Sequence, residues 1–280
     1  MEVNKVLIIY NREKDGVLNL VQEMEEYFSL QDIVVHKYDV KEIEDRDYGA
    51  DVAFSIGGDG TALTAARAVS KNAVPIIAVN MGTFGYITEV SAENWKKDYI
   101  RFINGEIGVS VRKMVSAKVC DEKGNVVKRY QALNEITISA SGISKIIKTS
   151  FYVNEVYGGC LKADGVLVST PTGSTAYSLA AGGPILEPSL DALLINPICP
   201  FALSNRPLVV KRDSILEFVI LENQSTTVLL TMDGQIAIEL KENWKVVVSS
   251  SRNAYLVNPE NRSFIEIIRE KLKWSGAMHA

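Results

Sequence analysis

The chain has 280 residues, 47% of them hydrophobic and 23% charged, which is ordinary globular composition with room for one large or two medium domains. A formal net charge of −4 gives no basic footprint for nucleic acid, and no apolar run reaches membrane-spanning length. Three scattered cysteines without a CxxC pair, and only two histidines (His36 and His279), argue against a disulfide scaffold, a thiolate zinc site and a Ser-His-Asp or Cys-His centre.

Cys120, Cys160 and Cys199 are expected to be buried structural thiols. The first residues, Met1-Glu2-Val3-Asn4-Lys5, lack the apolar core of a signal peptide, so a soluble cytoplasmic protein is expected. Any chemistry then falls to carboxylates, lysines, hydroxyls and the backbone.

In chain order, Val6–Tyr10 reads as a buried strand. Val17, Leu20, Val21, Met24, Tyr27 and Phe28 recur at helical spacing. Ile33–Tyr38 is a second strand and Val52–Ile56 a third. The third ends in Gly57-Gly58-Asp59-Gly60, and an Ala-rich helix follows from Ala62. Pro75–Asn80 is a fourth strand, ending in a second glycine-bearing loop, Met81–Gly85. Alternation at this spacing implies a parallel sheet flanked by helices, with ligands beyond the carboxyl ends of the strands. Ser91 is placed to cap a further helix carrying Trp95, Tyr99 and Phe102.

The texture changes near residue 108. Strand-like runs then dominate: Val115–Val119, Ile136–Ser139, Ser150–Val156, Val166–Ser169, Ile215–Ile220, Thr226–Thr231, Ile236–Leu240 and Val246–Ser249. Asp121–Asn125 and Asp233-Gly234 have hairpin chemistry. The expectation is an α/β domain over residues 1–108 and an all-β, sandwich-like domain over 109–259. A last helix, 260–275, is expected to return to the first domain.

Two stretches carry the chemistry. A bare glycine turn between strand and helix lets backbone N–H groups approach an anion. Asp59 within it would repel phosphate, but suits a metal ligand or a general base. An ordinary β–α turn with a capping Asp or Thr is the competing reading. The second stretch, Ala163–Ser178, runs from a strand into six hydroxyl residues and a short small-residue helix. It suits a phosphate or ribose, or else is a Ser/Thr-rich surface loop. Asn134-Glu135, at a strand entrance, is either a turn or a ribose clamp. No GxxxxGK[ST] string occurs.

Taken together, these stretches resemble the NAD kinase family. The match lies in Gly57-Gly58-Asp59-Gly60, Asn80 through Glu89, Leu133-Asn134-Glu135, Asp164 through Pro184, Ser204 through Leu208, Met232 through Gln235, and the closing helix with Trp274. The resemblance implies phosphoryl transfer from ATP or polyphosphate to the 2′-hydroxyl of the adenosine ribose of NAD, giving NADP. It implies a Rossmann-like, diacylglycerol-kinase-like α/β domain, a β-rich NAD-binding domain with the active site between them, and a homodimer or homotetramer. A divalent cation, Mg²⁺, is expected on the donor; its protein ligands are not identified.

By motif, Asp59 is the expected general base, and Gly57, Gly58 and Gly60 admit the donor phosphates. Asp59, Gly60, Phe84, Asn134, Glu135, Asp164, Thr175, Ala176, Tyr177, Ser178, Leu179 and Ala180 are the expected NAD contacts, with Lys145, Lys162 and Gln235 further ones. The chain departs from the family pattern at Phe201, where many relatives carry His-Ser nearby, and at Thr64, where many carry Arg or Lys. A lipid kinase sharing the glycine–Asp turn, or a non-catalytic dinucleotide-binding regulator, are the rival readings.

Overall fold

A computed structural model describes residues 1–44, 46–82, 85–142, 145–260 and 262–274. The chain forms two compact units, one of Met1–Arg112 together with the chain from Asn253 onward, the other of Lys113–Arg252.

The first unit is built on β1 (Lys5–Tyr10), α1 (Val17–Ser29), β2 (Val34–Asp39), β3 (Val52–Gly57), α2 (Asp59–Val69), β4 (Pro75–Asn80), β5 (Val90–Ser91) and α3 (Trp95–Ile103). β2, β1, β3 and β4 lie side by side in that order, all parallel. The apolar runs explain this. β3 is buried at every position, as a central parallel strand flanked on both faces must be. α1 turns Val17, Leu20, Val21, Met24 and Phe28 inward, the one stripe that a 3.6-residue period allows. α2 is buried at Thr61 through Ala66, Ala68 and Val69.

Phe28, Phe54, Trp95 and Tyr99 form an aromatic knot, with Phe28 and Tyr99 at 5.1 Å in edge-to-face contact. α3 is not capped by Ser91. That residue lies in β5, and Asn94 takes the cap position while its side chain donates to Ser91 Oγ.

The second unit carries β6 (Val109–Cys120), β7 (Val126–Ala132), β8 (Glu135–Ala140), β9 (Ile147–Val153), β10 (Val156–Ala163), β11 (Gly165–Ser169), α4 (Tyr177–Ala180), β12 (Ala192–Ile198), β13 (Leu208–Lys211), β14 (Leu216–Ile220), β15 (Val228–Met232), β16 (Ile236–Leu240) and β17 (Lys245–Val257). One sheet runs β13-β12-β11-β8-β15-β16, antiparallel throughout. The other contains β10-β9-β14-β17 and the β6–β7 hairpin. Ile136, Ile138, Val166, Val168 and Leu230 of one sheet share a core with Val115, Phe218, Val246 and Val248 of the other, the packing of a sandwich.

β6 and β17 begin in one unit and end in the other, and the last residues of β17, Tyr255 and Leu256, pair parallel with β4. The chain ends in α5 (Phe264–Leu272), opened by a capping box in which Ser263 and Glu266 satisfy each other's backbone N–H groups.

The expected Ser150–Val156 strand is broken. Asn154 and Glu155 both adopt positive φ (50° and 68°), a tight hairpin turn that starts β10 at Val156. Neither is glycine, so this turn gave no sequence signal. Cys160 and Cys199 are exposed and only Cys120 is buried, correcting the expectation of three buried thiols. Cys160 sits on β10, whose outward positions have no covering layer in this unit. Among the described residues no helix is long and apolar enough to cross a membrane.

Candidate active site

The first unit presents its polar cluster at the carboxyl end of the parallel sheet. Gly57 closes β3 beside Asn80, which closes β4, and Met81 donates its N–H to Gly57 O at 2.8 Å. The two glycine-bearing loops are therefore neighbours. A Cβ on Gly57 would meet Thr61 Oγ1 at 2.3 Å, so the turn can only close without a side chain there. Among the described residues a Cβ on Gly58 would meet nothing within 4 Å, so their packing does not demand that glycine.

Asp59 lies in the first turn of α2 but is not its cap. Gly58 holds that position, and α2 has no side-chain cap bond. Instead the Asp59 carboxylate reaches to the loop after β4. Oδ2 accepts from the Tyr86 N–H at 2.7 Å. Oδ1 accepts from the N–H groups of Ile87 (3.0 Å) and Thr88 (3.1 Å) and from the Thr88 hydroxyl (3.1 Å). Gly85 makes this possible, since a Cβ there would lie 2.1 Å from Asp59 Oδ1 and 2.2 Å from Thr88 Oγ1.

Lys271, from α5, places its ammonium 5.2 Å from the centroid of the Tyr86 ring. Burial lowers its pKa, against the opposing pull of Asp59 and Glu89. Burial and the Asp59 charge together raise the Tyr86 phenol.

In the second unit, Asn134 and Glu135 are buried where β8 begins, 8% and 6% exposed. Among the described residues, Asn134 Oδ1, Glu135 Oε2 and the Thr172 hydroxyl are buried without a hydrogen-bond partner. Such groups are costly to leave unpaired. Burial, with the nearby Asp233 charge adding to it, pushes Glu135 up to about 8.

Thr175 and Ala176 lead from β11 into α4, which Tyr177 opens, and Tyr177 is 46% exposed. The Thr175 hydroxyl donates to Thr172 O at 3.2 Å. Ser178 is fully buried, its carbonyl and hydroxyl receiving Asn196 Nδ2, which commits it to the fold. Leu179 is half-buried; Ala180, Lys145, Lys162, Asp164 and Gln235 are exposed. Phe201 is also exposed, its N–H bonded to Lys162 O. Phe84 and His279 lie outside the described residues.

Four residues that the sequence motifs contained but assigned no role organise these clusters. Gly85 and Thr88 hold Asp59; Thr170 and Asp233 hold the chain at Asn134. Asp233 was legible as half of an Asp-Gly hairpin signal and as part of the Met232–Gln235 string, neither of which says where its carboxylate points.

A glycine–Asp turn at the carboxyl end of a parallel sheet in one unit, and a buried polar pair at a strand start in a β-sandwich unit, place the chain in a class of two-unit proteins built from an α/β part and a β-rich part. Residues 14–107 match the family model described as the ATP-NAD kinase N-terminal domain, and residues 133–259 the one described as the ATP-NAD kinase C-terminal domain. The chain is 37% identical over 281 residues to the NAD kinase of Treponema denticola, covering 98% of each protein. It is 34% identical over 273 residues to that of Fusobacterium nucleatum, covering 96% of this chain and 97% of the relative. Among solved structures it resembles an NAD kinase from Archaeoglobus fulgidus in complex with ATP (TM-score 0.76, 26% identity, covering 95% and 98%). It shares the fold of yeast NADH kinase complexed with NADH (TM-score 0.87, 22% identity, covering 98% and 89%). The chain belongs to the NAD kinase family.

Proposed function

We infer that this protein is an NAD kinase that uses ATP to phosphorylate NAD to NADP. One observation carries the reading: the chain aligns almost end to end with a curated NAD kinase. The finer assignment, transfer to the 2′-hydroxyl of the adenosine ribose, is our proposal. It is supported by the buried, unpartnered acceptors of Asn134 and Glu135, which suit a ribose.

Phosphoryl transfer asks the protein for positioning and charge stabilisation more than for covalent chemistry. Gly57, Gly58 and Gly60 are proposed to let the donor phosphates approach the backbone, and the open space at Gly58 supports this. Asp59 is proposed as the general base. A carboxylate offers about four acceptor sites. Oδ1 already accepts three hydrogen bonds and Oδ2 one, which leaves Oδ2 as the oxygen able to take the hydroxyl proton. Asn134, Glu135, Asp164, Thr175, Ala176 and Tyr177 are proposed to line the NAD site, with Lys145, Lys162 and Gln235 at its margin. Ser178 belongs to this set as support for the bend rather than as an open hydroxyl.

Among the described residues no three His, Cys, Asp or Glu side chains form a metal cage. Mg²⁺ is therefore read as part of the nucleotide substrate, carried on the donor phosphates. A homodimer or homotetramer and a cytoplasmic location complete the proposal.

Incubation with NAD, ATP and Mg²⁺ should yield NADP. A folded protein that yields none, or that phosphorylates diacylglycerol instead, overturns the reading. Replacing ATP with polyphosphate in the same assay decides the donor range.

A further inference from the structure

The turn Leu133-Asn134-Glu135 has an unusual support. Its three consecutive N–H groups all donate to one carboxylate. Leu133 N lies 3.1 Å from Asp233 Oδ2, while Asn134 N and Glu135 N lie 2.8 Å and 3.3 Å from Oδ1. The Asp233 N–H answers by donating to Glu135 O at 3.0 Å.

From the other side, Thr170 Oγ1 donates to Leu133 O at 2.6 Å and Thr170 N to Asn134 O at 2.9 Å. Gly173 packs so closely that a Cβ on it would lie 2.2 Å from Asn134 O. Every backbone donor and acceptor of the turn is thus taken by the protein. The side chains stay open to a ligand; among the described residues Asn134 Oδ1 and Glu135 Oε2 are buried and unpartnered.

Asp233 itself is 7% exposed and sits at positive φ (51°) in the β15–β16 turn. An aspartate is not needed there for hairpin geometry, because Asn tolerates the same conformation. A buried carboxylate is costly unless hydrogen bonds replace its water, and here three amides do so. Its placement makes sense as a device that stiffens the turn.

We propose that Asp233 is a positioning residue for the dinucleotide, holding the 133–135 backbone so that the side chains of Asn134 and Glu135 meet a ribose diol in one fixed geometry. This rests on the reading of Asn134 and Glu135 as NAD contacts. The energetic logic is preorganisation: a turn already ordered gives up little freedom when the ligand binds.

The test is Asp233→Asn, which keeps the size and one acceptor oxygen but sets an amide NH₂ against backbone donors. By calorimetric titration its Kd for NAD should rise about tenfold, the scale of one charge-assisted hydrogen bond. Its Kd for ATP should stay near wild type, while its melting midpoint falls by a few degrees as the three amides lose part of their acceptor. In an Asn134→Ala, Glu135→Gln background the same substitution should change NAD binding less than about twofold, because residues acting as one unit are not additive.

Wild-type NAD affinity in Asp233→Asn, or an undiminished effect in the double background, overturns the proposal. If the variant does not fold, amide hydrogen exchange on the wild-type chain decides. Joint protection of the Leu133, Asn134 and Glu135 amides supports a clamped turn, and rapid exchange overturns it. A wild-type protein that binds no NAD would overturn the functional reading instead, while the exchange pattern still reports on the clamp.

Discussion

Thr88 gives two hydrogen bonds to one oxygen of Asp59: its amide N–H and its hydroxyl each lie 3.1 Å from Oδ1. The side chain proposed to accept the ribose proton is therefore also the tie between two loops of the first unit. A variant at Asp59 tests two things at once, and they must be separated.

Asp59→Asn should reduce kcat by about 10²–10⁴-fold, the usual worth of a general base. It should also lower the stability of the first unit by about 1–3 kcal/mol, because an amide cannot accept from all four donors. Thr88→Val removes only the hydroxyl donor. It should cost about 1 kcal/mol of stability and leave kcat within a few-fold of wild type. Steady-state kinetics beside thermal melts of both variants will decide. A Thr88→Val enzyme as inactive as Asp59→Asn would assign Asp59 to loop-holding alone.

Gly58 and Gly85 should behave oppositely when changed to Ala. At Gly85 the new methyl meets Asp59 and Thr88 at 2.1–2.2 Å, so Asp59 must move, and both stability and kcat should fall, stability by about 1–3 kcal/mol. At Gly58 the methyl meets no atom of the described residues within 4 Å, so the melt should change little. If donor phosphate occupies that space, KM for ATP rises while KM for NAD does not. An unchanged KM for ATP in Gly58→Ala would remove this glycine from the donor site.

Glu135 should give the protein a pH signature. Burial first, then the Asp233 charge, raises its pKa from 4.5 to about 8. Between these values the folded protein holds a proton that the unfolded chain releases, so the contribution to stability falls as pH rises. It is fully present below about 4.5 and lost once pH passes about 8. Glu135→Gln, neutral at every pH, should flatten that part of the curve. Melting midpoints from pH 4 to pH 9 for both proteins measure it, and parallel curves would show that Glu135 is already ionised at neutral pH.

Phe54 is fully buried on β3, with ring centroids of Phe28 at 5.6 Å, Tyr99 at 5.8 Å and Trp95 at 6.0 Å. Phe54→Ala should cost about 3–5 kcal/mol, the usual cost of emptying a fully buried phenylalanine site. Urea unfolding of the variant will read it; a loss below about 1 kcal/mol would mean that the knot repacks.

Much of the architecture was legible because it follows from local periodicity. Val17, Leu20, Val21, Met24 and Phe28 can share one face only on a helix. The run of β3, apolar but for Ser55, is buried at every position, as in a sheet covered on both faces. The Asp59 turn was legible as a bare loop between strand and helix, and the Asn134-Glu135 pair as polar residues at a strand entrance. The β9–β10 hairpin escaped because Asn154 and Glu155 adopt positive φ without a glycine to announce it.

By itself, then, the amino-acid sequence determined most of the element types and the two-part plan, and marked the residues proposed to carry the chemistry, since spacing and residue type act over a few positions. Only the tertiary structure decided what those residues touch. Asp59 meets Thr88 across 29 positions and Asp233 meets Asn134 across 99, and no local pattern encodes either pairing. The physical reason is the same in both cases: a carboxylate's position is set by backbone N–H groups that only the folded sheets bring within reach. The glycine–Asp turn is a sequence motif, but the four hydrogen bonds that hold its carboxylate in place belong to the fold.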